Sequence, residues 1–246
     1  MAIWTISDLH LSFGIENKSM DLFGPTWKDY THKIESHWRS LITNDDLVLI
    51  AGDISWAMNL DDAMPDLNWI ASLPGTKVIS KGNHDYWWPS ASKLSKALPP
   101  SIKFVQNNVF NWNGVSIGGT RLWDSSEYSF GEFIDFKPGK QKEKPPIDVE
   151  VEEKIFTREL ERLKYSLGQL DPTAHTRIAM VHYPPIGNDL KPTRVSTILE
   201  HYKIDYCIFG HLHSLKPNLQ LFGEARGVKY MLTSCDYLNF IPIKIL

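Results

Sequence analysis

Cysteine is scarce in this sequence. Only Cys207 and Cys235 occur among the 246 residues, which is too few for a disulfide framework. Their separation also lacks the clustered spacing of a thiolate zinc site. We therefore expect a chain that folds without disulfide bonds in a reducing compartment, the cytoplasm.

An excess of positive charge is missing as well. The 26 Lys and Arg residues nearly balance the 29 Asp and Glu residues, for a net charge of -3, so the sequence lacks the basic footprint of a non-specific nucleic-acid binder. No apolar run approaches the length of a membrane span, and the first residues lack the pattern of a leader. We expect a soluble protein with no stable nucleic-acid binding and no membrane partner.

Five short apolar runs, rich in β-forming residues, are each followed by residues that bind metals in other proteins. Such runs are typical of buried strands in a sheet that is covered on both faces. The runs are A-I-W-T-I-S before Asp8, D-L-V-L-I-A before Gly52 and Asp53, T-K-V-I-S before the G-N-H-D stretch at 82–85, T-R-I-A-M-V before His182, and Y-C-I-F before Gly210 and His211.

Helical patterns separate these runs and predict an α/β architecture in one domain over residues 1–246. Residues 30–42 and 151–170 have the spacing of amphipathic helices, and 115–119 and 230–234 are further strands that could complete a second sheet. The charged, Pro- and Gly-containing stretch 123–148 has no period, and we interpret it as an excursion beside the site. Because ligands bind beyond the carboxyl ends of strands in such sheets, the five polar clusters should converge.

The polar residues at these strand ends offer nitrogen and oxygen ligands without sulfur. Such a set suits Mn, Fe or Zn, and this many histidines argues against Ca or Mg. The seven side chains exceed what one tetrahedral zinc ion accepts, so we expect two metal ions with Asp53 as the bridging carboxylate. Gly52 would let the backbone turn sharply before Asp53, and the same argument applies to Gly82 and Gly210. The predicted ligands are Asp8, His10, Asp53, Asn83, His182, His211 and His213.

Five motifs in this order resemble the calcineurin-like metallophosphoesterase family. They are D-L-H at 8–10, G-D at 52–53, G-N-H-D at 82–85, the lone histidine at 182, and G-H-L-H at 210–213. The resemblance implies a four-layer α/β/β/α sandwich of two mixed β-sheets flanked by helices, with a dinuclear metal site at the carboxyl ends of the strands. It further implies the ligand roles: Asp8, His10 and His213 for the first metal, Asn83, His182 and His211 for the second, and Asp53 between them.

The resemblance also implies an activity, that of a metal-dependent phosphohydrolase. A metal-bound hydroxide would attack a phosphomonoester or phosphodiester, and His84 would protonate the leaving group. Asp85 is a candidate to orient this region. The expected substrate is a small phosphorylated molecule, with a nucleotide as one candidate. The sequence leaves open the choice between monoester and diester, the identity of the metals and the oligomeric state.

Other functions of the superfamily are less favoured. Its Ser/Thr protein phosphatases follow the G-D motif with a further Asp and Arg, whereas this chain has G-D-I-S-W-A at 52–57. A nuclease is also less favoured, because no basic groove or added domain is evident. A binding scaffold that keeps the fold is the alternative from another functional class, and the complete ligand set argues against it.

Several residues beside the motifs have ordinary structural explanations. We expect Trp56, Trp87 and Trp88 to pack in the core, because tryptophan is highly buried on average. Arg121 could clamp a phosphate through its bidentate fork, but a surface salt bridge is the default, so Arg121 stays outside the predicted site. The long loop at 11–27 is expected to form one wall of the cleft.

Overall fold

Two mixed β-sheets form the centre of the computed structural model, which describes residues 1–16, 18–135 and 148–246. The first sheet has the order β11 (Ile243–Lys244), β1 (Ile3–Thr5), β2 (Leu47–Ile50), β3 (Thr76–Ile79) and β4 (Ile102–Phe104). The second has the order β5 (Val109–Trp112), β6 (Val115–Thr120), β7 (Thr176–Val181), β8 (Tyr206–Phe209), β10 (Val228–Leu232) and β9 (Glu224–Ala225). The β1–β11, β5–β6 and β9–β10 pairs are antiparallel, and the strands between them are parallel.

Two of the helices, α1 (Tyr30–Leu41) and α4 (Val149–Leu167), correspond to the predicted amphipathic segments 30–42 and 151–170. In α1, Tyr30, Ile34 and Trp38 recur at the helical spacing and are buried. The helix α5 (Arg194–His201) begins with a capping box between Thr193 and Ser196, which satisfies backbone donors at its first turn. The helices are α1 (Tyr30–Leu41), α2 (Leu60–Ser72), α3 (Ala91–Ala97), α4 (Val149–Leu167) and α5 (Arg194–His201), and short 3-10 turns lie at Met20–Phe23, Pro25–Trp27 and Gly131–Phe133.

Three apolar clusters lie between the four layers of the fold, which are helices, the first sheet, the second sheet and helices. Side chains from both sheets, such as Leu49, Val78 and Ile178, form one cluster between the sheets. A second cluster joins the outer face of the first sheet to α1, α2 and α3, and a third joins the outer face of the second sheet to α4 and α5. The α/β/β/α sandwich of two mixed sheets flanked by helices is therefore confirmed.

The remaining predictions about the fold have mixed outcomes. The segments 115–119 and 230–234 do belong to the second sheet, as β6 and most of β10. The predicted excursion at 123–148 is described as far as residue 135 and at residue 148, and the rest lies outside the described residues. None of the described helices is both long and apolar enough to cross a membrane.

Candidate metal centre

The parallel strands of both sheets end at the same edge, and the predicted ligands lie just beyond them. Asp8 follows β1, Asp53 follows β2 and Asn83 follows β3, whereas His182 and His211 follow β7 and β8 of the second sheet. The structure thus brings together residues that are far apart in the chain: the backbone N–H of His211 donates to Asp8 Oδ1 at 3.0 Å, across 203 residues.

The backbone at this edge takes conformations that side-chain-bearing residues seldom adopt. Asp8, Asp53 and His211 have φ angles of 59°, 52° and 74°, and such strained positions cluster at functional sites. Gly52 turns the chain before Asp53 with a φ of 95°, as predicted. Gly82 has a different role, because a Cβ there would lie 2.1 Å from Asp53 Oδ1.

Asp8, His10 and His213 form one group of converging ligand atoms, each within 4.8 Å of the others. The Nε2 atoms of His10 and His213 are 3.2 Å apart, and His213 Nε2 is 3.5 Å from Asp8 Oδ1. Asp8 Oδ2 and His10 Nδ1 are buried and have no hydrogen-bond partner among the described residues. A Cβ at Gly210 would lie 2.0 Å from Asp8 Oδ2. Glycine at this position therefore leaves room for the Asp8 carboxylate.

A second group contains Asp8, Asp53 and His182. The side chain of Asn83 joins it, because its Oδ1 lies 2.6 Å from His182 Nε2 and 2.9 Å from His211 Nδ1. The structure therefore places all seven predicted ligands around one spot. Which ion each of them binds stays a prediction.

The orientation of His182 indicates a cation site. Its Nδ1 lies 3.0 Å from the carbonyl oxygen of Ala51, which accepts a hydrogen bond from it. Burial lowers the pKa of His182, so the ring is neutral and Nε2 carries a lone pair. This lone pair faces Asp53 Oδ2 at 3.5 Å. A positive ion between these two buried hydrogen-bond acceptors would interact favourably with both.

The two carboxylates of the site repel each other. Burial and the negative charge of Asp8 raise the pKa of Asp53 well above its usual range. Burial alone would raise the pKa of Asp8 too, but its hydrogen bond with His213 and the charges of the nearby histidines lower it. Two buried carboxylates whose ligand oxygens lie within 4.8 Å of each other need compensating positive charge, which a bound cation would supply.

Asp236 fixes the ring of His213, and no motif in the sequence marked it. Asp236 Oδ1 accepts a hydrogen bond of 2.8 Å from His213 Nδ1, and Oδ2 accepts one of 3.0 Å from the backbone N–H of Ser214. Burial would lower the pKa of His213, but Asp236 and Asp8 raise it well above its usual range. A carboxylate behind a ligating histidine sets the tautomer and the ring orientation.

Asp85 ties the two loops of the first sheet together. Its Oδ1 accepts hydrogen bonds from the backbone of Ile54 and Ser55 and from Trp87 Nε1, at 2.9, 3.2 and 2.9 Å. Its Oδ2 accepts one of 2.7 Å from the backbone N–H of Gly82. Asp85 is fully buried and thereby holds the loop of Asp53 against the loop of Asn83.

His84 and Trp56 lie at the opening of the site. The backbone N–H of His84 donates to Asp53 Oδ1 at 2.8 Å, and its half-buried ring lies 4.5 Å from the ring of Trp56. Trp56 also stacks on His10 at 4.8 Å and lies parallel to Phe23 at 6.3 Å, so it borders the site. The prediction that Trp56 packs in the core therefore describes only part of its position, because its ring also borders the site.

The other two tryptophans behave as expected. Trp87 is a buried member of the core cluster against α1 to α3, and the half-buried Trp88 packs against the same cluster. Phe23 belongs to the loop at 11–27, so this loop does border the site as predicted.

Comparisons with known proteins agree with this architecture. Residues 1–215 match the model of the calcineurin-like phosphoesterase family. The gene 66 protein of Mycobacterium phage L5 is 33% identical over 86 residues, a match that covers 33% of this chain and 39% of that protein. The phosphopantetheinyl hydrolase of Mycobacterium tuberculosis has a TM-score of 0.53 at 16% identity and covers 100% of this chain and 95% of its own.

A protein of unknown function from Aquifex aeolicus has a TM-score of 0.49 at 16% identity, with 99% of this chain and 95% of that chain covered. At 16% identity, the similarity to the phosphopantetheinyl hydrolase supports a shared fold and nothing beyond it. The family match extends from the first residue to beyond the last predicted ligand, His213. This chain belongs to the calcineurin-like phosphoesterase family.

Proposed function

We propose that this protein is a metal-dependent phosphohydrolase that cleaves a phosphomonoester or phosphodiester bond of a small substrate, with a nucleotide as one candidate. The observation that carries the proposal is the convergence of seven oxygen and nitrogen ligands, from both sheets, at one edge of a fold of this family. The proposal also includes a single domain over residues 1–246 and a cytoplasmic location.

The donor set suits two ions of Mn, Fe or Zn. Asp8, His10 and His213 would hold the first, Asn83, His182 and His211 the second, and Asp53 both. When bound, two such cations lower the pKa of a coordinated water and neutralise the charge of the phosphoryl oxygens. The protein fixes the orientation of the ligands. Ala51 orients His182, and Asp236 orients His213.

His84 is the proposed general acid for the leaving group. Its backbone is anchored to Asp53, and its ring lies 5.5 Å from the ring of His10, at the half-buried mouth of the site. A proton donor must reach the leaving oxygen without being occupied as a ligand, and the seven proposed ligands do not include His84.

The first test is the initial rate of the Mn-reconstituted protein on nitrophenyl phosphate and on bis-nitrophenyl phosphate. The control is Asp53→Asn, which keeps the volume of the side chain and removes its charge. We expect hydrolysis of at least one of the two substrates well above the control. Rates equal to the control with Mn, Fe and Zn would overturn the proposal and place the binding scaffold first.

A further inference from the structure

Two cationic side chains lie beside the candidate metal centre and have no role in the chemistry above. We propose that Arg121 and Lys81 form an anion subsite that binds the phosphate oxygens of the substrate and selects phosphomonoester dianions over diesters. This inference rests on the proposed function and deepens it. We call these two residues the Arg121–Lys81 pair.

The backbone of Arg121 is fixed to a predicted ligand. Arg121 directly follows β6, and its carbonyl oxygen accepts hydrogen bonds of 3.1 Å from the N–H groups of both His182 and Tyr183. The next residue, Leu122, has a φ of 63° and turns the chain at this point. Arg121 therefore lies at the same edge of the sheets as the metal ligands.

The guanidinium of Arg121 is oriented by aromatic rings. It lies 4.8 Å from the ring centre of Trp123, which is 5.5 Å from the ring of Tyr183. Tyr183 in turn lies 4.2 Å from the ring of His211. A guanidinium that stacks on a ring keeps its N–H edges available for a bidentate contact, and phosphate oxygens match that geometry.

Lys81 reaches the same region from the first sheet. It follows β3 and precedes the G-N-H-D motif, and its side chain is half-buried, like that of Arg121. The backbone of Lys81 lies beside the site, because the next residue, Gly82, packs against Asp53 so closely that it has no room for a Cβ. The pair thus concentrates positive charge where two loops of opposite sheets meet.

Neither cation is in direct contact with a carboxylate in the described part of the chain. The side chains of Arg121 and Lys81 form no ion pair with any described carboxylate, which excludes the ordinary surface salt bridge there. The nearby carboxylate of Asp85 accepts four hydrogen bonds, and that of Glu159 pairs with Arg162 and Thr120. Half-buried charges without a counter-ion are costly, and a bound anion would relieve that cost.

The charge of the pair points to the monoester class. A phosphomonoester carries two negative charges and three non-bridging oxygens near neutral pH, whereas a diester carries one charge and two such oxygens. The metal pair can hold some of these oxygens, and only the monoester offers a further charged oxygen to a cation outside the metal centre. The Arg121–Lys81 pair therefore favours the monoester.

The test compares Arg121→Met and Lys81→Met with Arg226→Met. Arg226 is a matched control because it also loses one positive charge and precedes β10, away from the strand ends that carry the ligands. The measurements are kcat/KM on the two nitrophenyl substrates, the inhibition constant of inorganic phosphate, its affinity by calorimetry, and the metal content.

We expect Arg121→Met to lower kcat/KM for the monoester about 10- to 100-fold and to weaken phosphate binding to a similar extent. The diester should change less than about threefold, Lys81→Met should give a smaller loss in the same direction, and Arg226→Met should change neither substrate. Metal content should stay at the wild-type level.

Equal losses on both substrates, or unchanged phosphate binding in Arg121→Met, would overturn the inference. A wild-type protein that hydrolyses the diester alone would also overturn it while the proposed function stands. If neither substrate is hydrolysed above the Asp53→Asn control, the proposed function fails. Phosphate calorimetry on the metal-loaded protein then still decides whether the pair binds an anion.

Discussion

The candidate metal centre has a buried half and a partly exposed half. Asp8, His10 and Asp53 are no more than 2% exposed, whereas the side chains of His211 and His213 are 23% and 26% exposed. The buried half is held by backbone contacts and by the hydrogen bonds of Asp85. In the exposed half, carboxylates of nearby loops contact the histidine rings.

This difference indicates that the two halves depend on the fold to different degrees. In the buried half, a side chain that places a ligand also satisfies backbone groups of the core, so activity and stability are coupled there. In the exposed half, Asp236 orients His213, and Asp124 Oδ1 lies 3.7 Å from His211 Nε2. Substitutions of such carboxylates should weaken metal binding and leave the fold intact.

Asp85→Ala should have the largest effect, because it acts on the buried half. The substitution leaves four buried N–H donors without their acceptor, and each lost partner costs about 1–3 kcal/mol. We expect the free energy of unfolding to fall by about 4 kcal/mol or more, together with loss of metal binding and activity. Chemical denaturation and metal analysis of the same sample measure both.

Asp85→Asn is the matched variant, since its amide oxygen still accepts hydrogen bonds while its NH2 group meets the N–H of Gly82. It should therefore retain more stability than Asp85→Ala and still bind metal less well than the wild type. Full activity in Asp85→Ala would show that the buried half does not need this carboxylate. Activity and stability would then not be coupled in the buried half.

His84→Ala should be the exception within the first sheet's loops. Its ring is half-buried and outside both ligand groups, so metal content and stability should stay near the wild type. Turnover should fall on the order of 100- to 10,000-fold for substrates with poor leaving groups, and less for nitrophenol esters that need no proton. Equal losses for good and poor leaving groups would contradict the general-acid role.

The sequence predicts the parts of this site that repeat a simple pattern. Each apolar run ends at a polar residue, and parallel strands bring such ends to one edge, so the positions of Asp8, Asp53 and His182 followed from spacing alone. The two-sheet sandwich and the individual ligand roles depended on the family resemblance. That resemblance was specific because five motifs occurred in order.

Residues that act through three-dimensional contacts left no such pattern. Asp236 lies 23 residues after His213 and meets it because β10 runs parallel to β8. The sequence predicts Trp56 as a core residue because tryptophan is usually buried, yet its ring lies between His10 and His84. Whether Arg121 forms an ion pair depends on which carboxylates the fold brings near its guanidinium, and neighbouring residues in the sequence do not indicate this.

Asp236→Asn should have the smallest effect of these variants and tests the exposed half directly. The amide keeps the volume of the side chain but removes the negative charge behind His213, so the ring loses part of its orientation and basicity. Metal affinity should fall about 10- to 100-fold, as measured by competition with a chelator, while the free energy of unfolding changes by less than about 1 kcal/mol. Asp189→Asn, an exposed carboxylate paired with Lys191, is the control for loss of one charge. If Asp236→Asn unfolds the protein as Asp85→Ala is expected to do, the exposed half is as much a part of the core as the buried half, and the distinction between them fails.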